Sequence, residues 1–192
     1  DALEVGSNLA DNSWHQLVVT WQATTTNGRQ IYRDGSLASQ NNSGASNTWR
    51  TTAESLQYVG GMWNQNTNSF HALSWNGELA NFSLVNSILT SSEVSDSYVA
   101  DAPPAVSVTS PSQYWDGSST STQLGSNTIA LGGATLSTAD GKYGSDSFNF
   151  GASGNKQPIL VGNDISLSTG IYTFSLWFKN KRSGSDWGSV LR

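Results

Sequence analysis

Residues 171–179 read IYTFSLWFK and hold the clearest β-strand pattern of the chain. Every second residue from Tyr172 to Phe178 is large and apolar, and a period of two places those residues on one face of a strand. A second alternating stretch, SWHQLVVTW at 13–21, has apolar residues on both faces, which is typical of a central strand. The two stretches predict an all-β protein that buries these faces in a core.

Shorter strands and turns occupy most of the remaining chain. Asp34-Gly35 stands between 31–33 and 36–38 and predicts a two-residue hairpin, because a type I′ turn needs positive φ at both central residues. Further strands are predicted at 57–59, 78–85, 113–115, 128–131 and 187–191, and around Phe148, Phe150, Ile159 and Val161. On the strand at 78–85, we expect Ala80, Phe82 and Leu84 to share one face.

One short helix is predicted near residues 91–99. Thr90-Ser91-Ser92-Glu93 has the capping-box pattern, in which Thr90 accepts from the N3 amide and Glu93 reaches back to the N-cap. The predicted fold class is therefore all-β, an antiparallel β-sandwich of the jelly-roll kind with this one helix. The predicted core residues are Leu17, Val19, Trp21, Phe82, Phe148, Phe150, Phe174 and Leu176.

Composition excludes several classes of function. The 192 residues carry a net charge of −5 without a Lys/Arg cluster, so no nucleic-acid partner is expected. No apolar run approaches the roughly 20 residues of a membrane span, so no membrane insertion is expected. The chain has no cysteine, which excludes disulfides and suits an extracellular bacterial or viral surface protein, with chance or a cytosolic protein as the alternative. Strand-like residues at 1–5 indicate a piece cut from a longer protein.

Five motifs carry a family resemblance. They are DNSWHQLVVTW at 11–21, IYRDGSL at 31–37, GEL to LTSSEV at 77–94, DGKYGSDSFNF at 140–150 and TGIYTFSLWFK at 169–179. These segments resemble the laminin-G-like modules of the concanavalin-A-like lectin/glucanase superfamily, which occur in surface adhesins and phage virion proteins. The resemblance implies a concanavalin-A-like jelly roll.

The order of the motifs is reversed relative to that family. The resemblance implies that residues 1–101 are the C-terminal part of a module and that 112–192 are the N-terminal part of one. Residues 102–111, with three of the four prolines, are a linker or a crossover between them. The two parts belong either to successive modules of a tandem array or to one permuted module. The array is favoured, because strands that usually lie between the two parts are missing.

Catalysis is not expected from this sequence. A glycosidase needs two carboxylates roughly 5–10 Å apart, and on one strand this requires a second carboxylate two or four residues away. None of the four glutamates has such a partner; they are Glu4, Glu54, Glu78 and Glu93. Ala80 and Asn81 stand where the family often carries an acidic pair. His15 is expected to be structural, and no Gly-x-Ser-x-Gly nucleophile elbow occurs.

The most ligand-like stretch is GGMWNQNTNSFHALSWNG at 60–77. Sugars stack their C–H surfaces on aromatic faces, while amides bind their hydroxyl groups, and both residue types are concentrated here. The candidate glycan-binding residues are Trp63, Asn64, Asn66, Asn68, His71 and Trp75. The alternative is that the two tryptophans pack against the edge of the sandwich or against a neighbour.

No cofactor is required by the sequence, and calcium is the one candidate. The resemblance implies calcium as an option, since some laminin-G-like modules hold one ion through Asp, Asn and main-chain oxygens gathered from loops. The loop carboxylates are Asp116, Asp140, Asp146, Asp164 and Asp186, and no EF-hand spacing links them. The metal ligands, if a metal binds, are left open.

Three functions remain as hypotheses. The first is a non-catalytic module of an extracellular, cell-surface or virion protein, such as an adhesin, tail fibre or decoration protein, that binds glycan or surface polysaccharide. Its further partners would be neighbouring modules or subunits of the same protein. The second is a purely structural filament, tail-fibre or capsid-decoration component with no soluble ligand. The third is a glycan hydrolase.

Overall fold

The computed structural model describes residues 9–22, 25–41, 76–100, 134–142, 146–150 and 171–181, together with the backbone of six further short strands. The described chain contains thirteen strands and a single helix, α1 (Ser91–Val99). The strands are β1 (Trp14–Gln22), β2 (Arg29–Arg33), β3 (Ser36–Gln40), β4 (Gln57–Val59), β5 (Trp63–Asn64), β6 (Ser69–Phe70), β7 (Gly77–Val85), β8 (Gln113–Trp115), β9 (Ile129–Ala130), β10 (Thr135–Ser137), β11 (Ser147–Asn149), β12 (Ile159–Val161) and β13 (Ile171–Asn180). The prediction of an all-β chain with one short helix is confirmed, and the strand predicted at 187–191 lies outside the described residues.

The largest sheet contains eight antiparallel strands. Seven of them follow one another in the order β10-β11-β7-β13-β1-β2-β3, and β8 also pairs with β7. Strand β13 lies in the middle of this sheet. One of its edges pairs with the whole of β1, and its other edge pairs with β7. A three-stranded sheet has the order β4-β12-β9, and β5 pairs with β6.

Strands from the two parts of the chain, before and after residues 102–111, pair with each other. β13 lies between β1 and β7, β11 pairs with the start of β7, and β12 pairs with β4. β8 pairs with the end of β7, where Trp115 lies opposite Phe82. This is the pairing that a permuted module predicts, whereas the favoured array places these strands in separate modules. The choice between one permuted module and a tandem array stays a prediction. The predicted linker or crossover at 102–111 lies outside the described residues, and the boundaries of the two parts stay a prediction.

The apolar core lies on one face of the large sheet. Its buried residues are Leu17, Leu79, Phe82, Leu84, Ala134, Phe148, Phe150, Tyr172, Phe174, Leu176 and Phe178. Six of the eight predicted core residues are among them, and the other two, Val19 and Trp21, are partly buried and pack against the cluster. Phe82 and Phe174 meet edge to face, with ring centroids 4.6 Å apart.

A β-bulge in β7 changes which residues face this core. Asn81 has φ +51°, and the register slips there so that two residues of β7 lie opposite one residue of β13. The prediction that Ala80 shares a face with Phe82 and Leu84 is therefore wrong. Leu79 joins the core instead, because the extra residue reverses the alternation, while Ala80 is buried outside this cluster.

Helix α1 packs on the opposite face of the sheet. Val94 of the helix belongs to a second buried cluster together with Val18, Tyr32 and Leu89, and Gln16 donates from Nε2 to Ser97 Oγ at 3.0 Å. Thr90 caps the helix as predicted: the Glu93 amide donates to Thr90 Oγ1, and Glu93 Oε2 accepts from the Thr90 amide. Within the described residues, no helix is both long and apolar enough to cross a membrane.

Candidate functional site

The candidate glycan-binding stretch contains a small hairpin. Trp63 and Asn64 form β5, which pairs with β6 so that Trp63 lies opposite Phe70 and Asn64 lies opposite Ser69. Asn66 and Asn68 belong to the segment that connects these two strands in the sequence. Four of the six predicted site residues, namely Asn66, Asn68, His71 and Trp75, lie outside the described residues. The structure thus brings Trp63 beside an aromatic position, Phe70, that the sequence analysis did not include among the candidates.

His15 is held between two carboxylates. Its Nδ1 lies 2.8 Å from Asp34 Oδ2, and its Nε2 lies 3.1 Å from Asp11 Oδ1. The ring also packs on Phe178 with centroids 5.7 Å apart. Both ring nitrogens of His15 thus lie within hydrogen-bond distance of carboxylate oxygens, which fixes the orientation of the ring. This arrangement agrees with the predicted structural role of His15.

The turn between β2 and β3 requires the residues Asp34 and Gly35 because of its backbone conformation. Asp34 and Gly35 both have positive φ, +50° and +75°, as the predicted type I′ hairpin requires. Asp34 Oδ1 also accepts from the Gln16 amide at 2.9 Å, which ties the turn to β1. A Cβ on Gly35 would come 3.0 Å from the Cβ of Tyr98, so glycine also leaves room for α1.

A second charged cluster lies where β7, β11 and β13 meet. Lys181 donates to Glu78 Oε1 at 2.6 Å and lies 2.9 Å from Asp140 Oδ2. Lys179 donates to Asp140 Oδ1 at 2.8 Å, and Asn149 donates to Glu78 Oε1 at 3.2 Å. We call these five residues the Glu78 cluster. Its two carboxylates are brought together from positions 78 and 140, so the search for acidic pairs along single strands missed them.

The pKa values of the two carboxyl groups in the Glu78 cluster are shifted in opposite directions. The side chain of Glu78 is 1% exposed, and this burial raises its pKa although the hydrogen bond from Lys181 lowers it. The hydrogen bond from Lys179 is the largest effect on Asp140 and, with the contact to Lys181, lowers its pKa to about 2. Asp140 is therefore held as a carboxylate between two ammonium groups.

A comparison with protein families shows which family the first half of the chain resembles. A family model described as the concanavalin A-like lectin/glucanases superfamily matches residues 1–95. This part of the chain belongs to that superfamily. No significant match was found among curated proteins or among solved structures.

The concanavalin-A-like assignment agrees with the observed architecture. The matched residues include β1, β2, β3, β7 and the start of α1, and the resemblance noted in those segments is confirmed. The antiparallel sheets and the single short helix of the described chain are those of a concanavalin-A-like β-sandwich. The motifs at 140–150 and 169–179 lie beyond the matched residues.

The superfamily description names both lectins and glucanases, so the Glu78 cluster bears on the choice between binding and hydrolysis. A glycosidase requires one carboxyl group that protonates the leaving oxygen and a second that acts on the other side of the bond. Glu78 is almost fully buried and hydrogen bonded to Lys181 and Asn149. Asp140 is ion paired with two lysines. The cluster therefore forms an ion-pair network that holds three strands together.

The candidate calcium ligands are only partly described. Within the described residues, no three His, Cys, Asp or Glu side chains converge as a metal site. Asp140 is bound to lysines, and Asp146 directly precedes β11. Asp116, Asp164 and Asp186 lie outside the described residues, so calcium binding stays a prediction.

Proposed function

We propose that this chain is a non-catalytic β-sandwich module that binds glycan through the β5–β6 hairpin. The observation that carries the proposal is the hairpin register, which sets Trp63 opposite Phe70 and Asn64 opposite Ser69. Aromatic residues can stack on the C–H surfaces of a sugar and amides can bind its hydroxyls, so the residue types of this hairpin support the proposal. The asparagines at 66 and 68, in the connecting segment, add further amide groups.

The non-catalytic part of the proposal rests on the two charged clusters. Both ring nitrogens of His15 face carboxylates, and Glu78 and Asp140 are engaged by Lys179 and Lys181. The ion pairs and hydrogen bonds restrain the side chains of His15 and Asp140 and one carboxylate oxygen of Glu78, which supports a structural role for these groups. The two charged clusters are thus arranged to stabilise the strands that carry them.

The proposed setting is an extracellular, cell-surface or virion protein in which the module mediates adhesion. The sheet supplies a rigid frame, and connecting segments on such a frame commonly carry the binding function. The absence of cysteine in all 192 residues and the net charge of −5 are compatible with this setting. The proposed partners are glycan or surface polysaccharide, and neighbouring modules or subunits of the same protein.

A glycan array probed with the whole chain tests the proposal, followed by titration of the bound glycan against variants. We expect Trp63→Ala to weaken binding by at least roughly tenfold, which corresponds to about 1.4 kcal/mol. The matched control is Tyr98→Ala, which removes an exposed aromatic ring on α1 and should leave the affinity unchanged. Equal binding by wild type and Trp63→Ala would place the site elsewhere. A chain that binds no glycan would support the structural alternative, and release of reducing ends would support the hydrolase.

A further inference from the structure

We infer that residues 112–192 are an exchangeable part of this chain, so that strand β13 of one copy can complete the sheet of a second copy. The inference begins with a gap in the first part of the chain. β1 and β7 both belong to residues 1–101, yet in the described sheet β13 lies between them and pairs with both. Without β13, residues 1–101 leave a space one strand wide, which we call the β13 slot.

The contacts in the β13 slot are specific for β13. The side chains of Tyr172 to Phe178 are all buried, and the apolar ones on one face belong to the core. On the other face, Ser175 Oγ lies 2.7 Å from Ser83 Oγ, and Thr173 Oγ1 accepts from the Leu89 amide at 3.0 Å. These polar pairs fix one register, because a slip by one residue would exchange the two faces.

The Glu78 cluster adds a charged contact that also joins the two parts. Glu78 comes from the first part, and its ion-pair partner Lys181 comes from the second. A strand that enters the slot must therefore bring a lysine just beyond its end, as β13 does. Every copy of the chain carries the same strand and the same lysine, so a second copy supplies every contact that the chain makes with itself.

The connection between the two parts, residues 101–112, has twelve residues. α1 is capped by Ala100, and β8 begins at Gln113. The intervening residues 101–112 reach at most about 40 Å when extended. Pro103, Pro104 and Pro111 in this segment favour extended backbone over a tight return. We therefore expect reciprocal exchange between two copies, which gives a closed dimer with two composite sheets.

Cysteine variants of the whole chain test the exchange, since the wild-type chain has no cysteine. Ser83→Cys and Ser175→Cys are made in separate chains, mixed, unfolded, refolded together and oxidised. Register pairing of Ser83 with Ser175 allows a disulfide only where the two positions meet. We expect a disulfide-linked heterodimer from the mixture. Each variant refolded alone should give no such product. In that case the single cysteine of one position always lies opposite the serine of the other position, so no disulfide can form.

A chain that carries both cysteines is the positive control, and it should close the bridge within one molecule. If it does so while the mixture gives only unlinked monomers, the exchange is wrong. If the bridge does not close in this control, the inference is tested instead by measuring the molecular mass of the wild-type chain after refolding at increasing protein concentrations. We expect a species of twice the monomer mass that grows with concentration, and monomer at every concentration would overturn the inference. Neither result depends on whether the module binds glycan.

Discussion

Replacing Phe174 with alanine tests the core at the point where the two parts of the chain meet. Phe174 is 9% exposed, lies on β13 and packs edge to face against Phe82 of β7 at a centroid distance of 4.6 Å. Truncating a buried phenylalanine to alanine costs about 3–5 kcal/mol, because transfer free energy is lost and a cavity remains. The aromatic pair accounts for roughly 0.5–1.5 kcal/mol of that loss.

Urea unfolding followed by tryptophan fluorescence measures this loss. For a slope of about 2 kcal/mol/M, the expected change lowers the midpoint by about 1.5–2.5 M. The control is Ile171→Ala at the exposed start of the same strand, where the side chain is 38% exposed and the loss should be roughly 1 kcal/mol or less. If Phe174→Ala costs no more than this control, Phe174 does not lie in the core and the face assignment of β13 fails.

Two further predictions concern the Glu78 cluster and the helix. The pKa of Asp140 is about 2, against an ordinary value of 3.8, so its ion pairs stabilise the fold above about pH 4 and this contribution is lost as the pH falls towards about 2. Asp140→Asn should flatten the pH dependence of the urea midpoint over this range, and an unchanged profile would show that these ion pairs contribute nothing. Thr90→Ala removes the cap of α1 and should cost about 1 kcal/mol. The exposed neighbour Ser92 provides the control, since Ser92→Ala should be near neutral, and equal effects of the two variants would argue against the cap.

Local patterns in the sequence were sufficient to predict most of the elements. Alternation identified β1 and β13, the Thr90–Glu93 spacing identified α1, and Asp34-Gly35 identified the hairpin between β2 and β3. Each of these signals acts within about ten residues. The chain therefore encodes them without reference to its tertiary contacts.

Contacts between distant residues could not be predicted in the same way. The bulge at Asn81 has no strong sequence signal, although asparagine tolerates positive φ better than most residues. The Glu78–Asp140 pair depends on β7 and the segment after β10 approaching each other. The pairing of β8 with β7 likewise depends on which partner strand is available.

The placement of β13 between β1 and β7 is the central structural claim, and interstrand nuclear Overhauser effects test it most directly. Phe174 lies opposite Val19 on β1 and opposite Leu84 on β7. The backbone protons of Phe174 should therefore show cross-peaks to both of these residues in the same sample, because paired antiparallel strands lie about 5 Å apart. Cross-peaks to only one of the two residues, or to neither, would contradict the claim that both parts of the chain build one sheet.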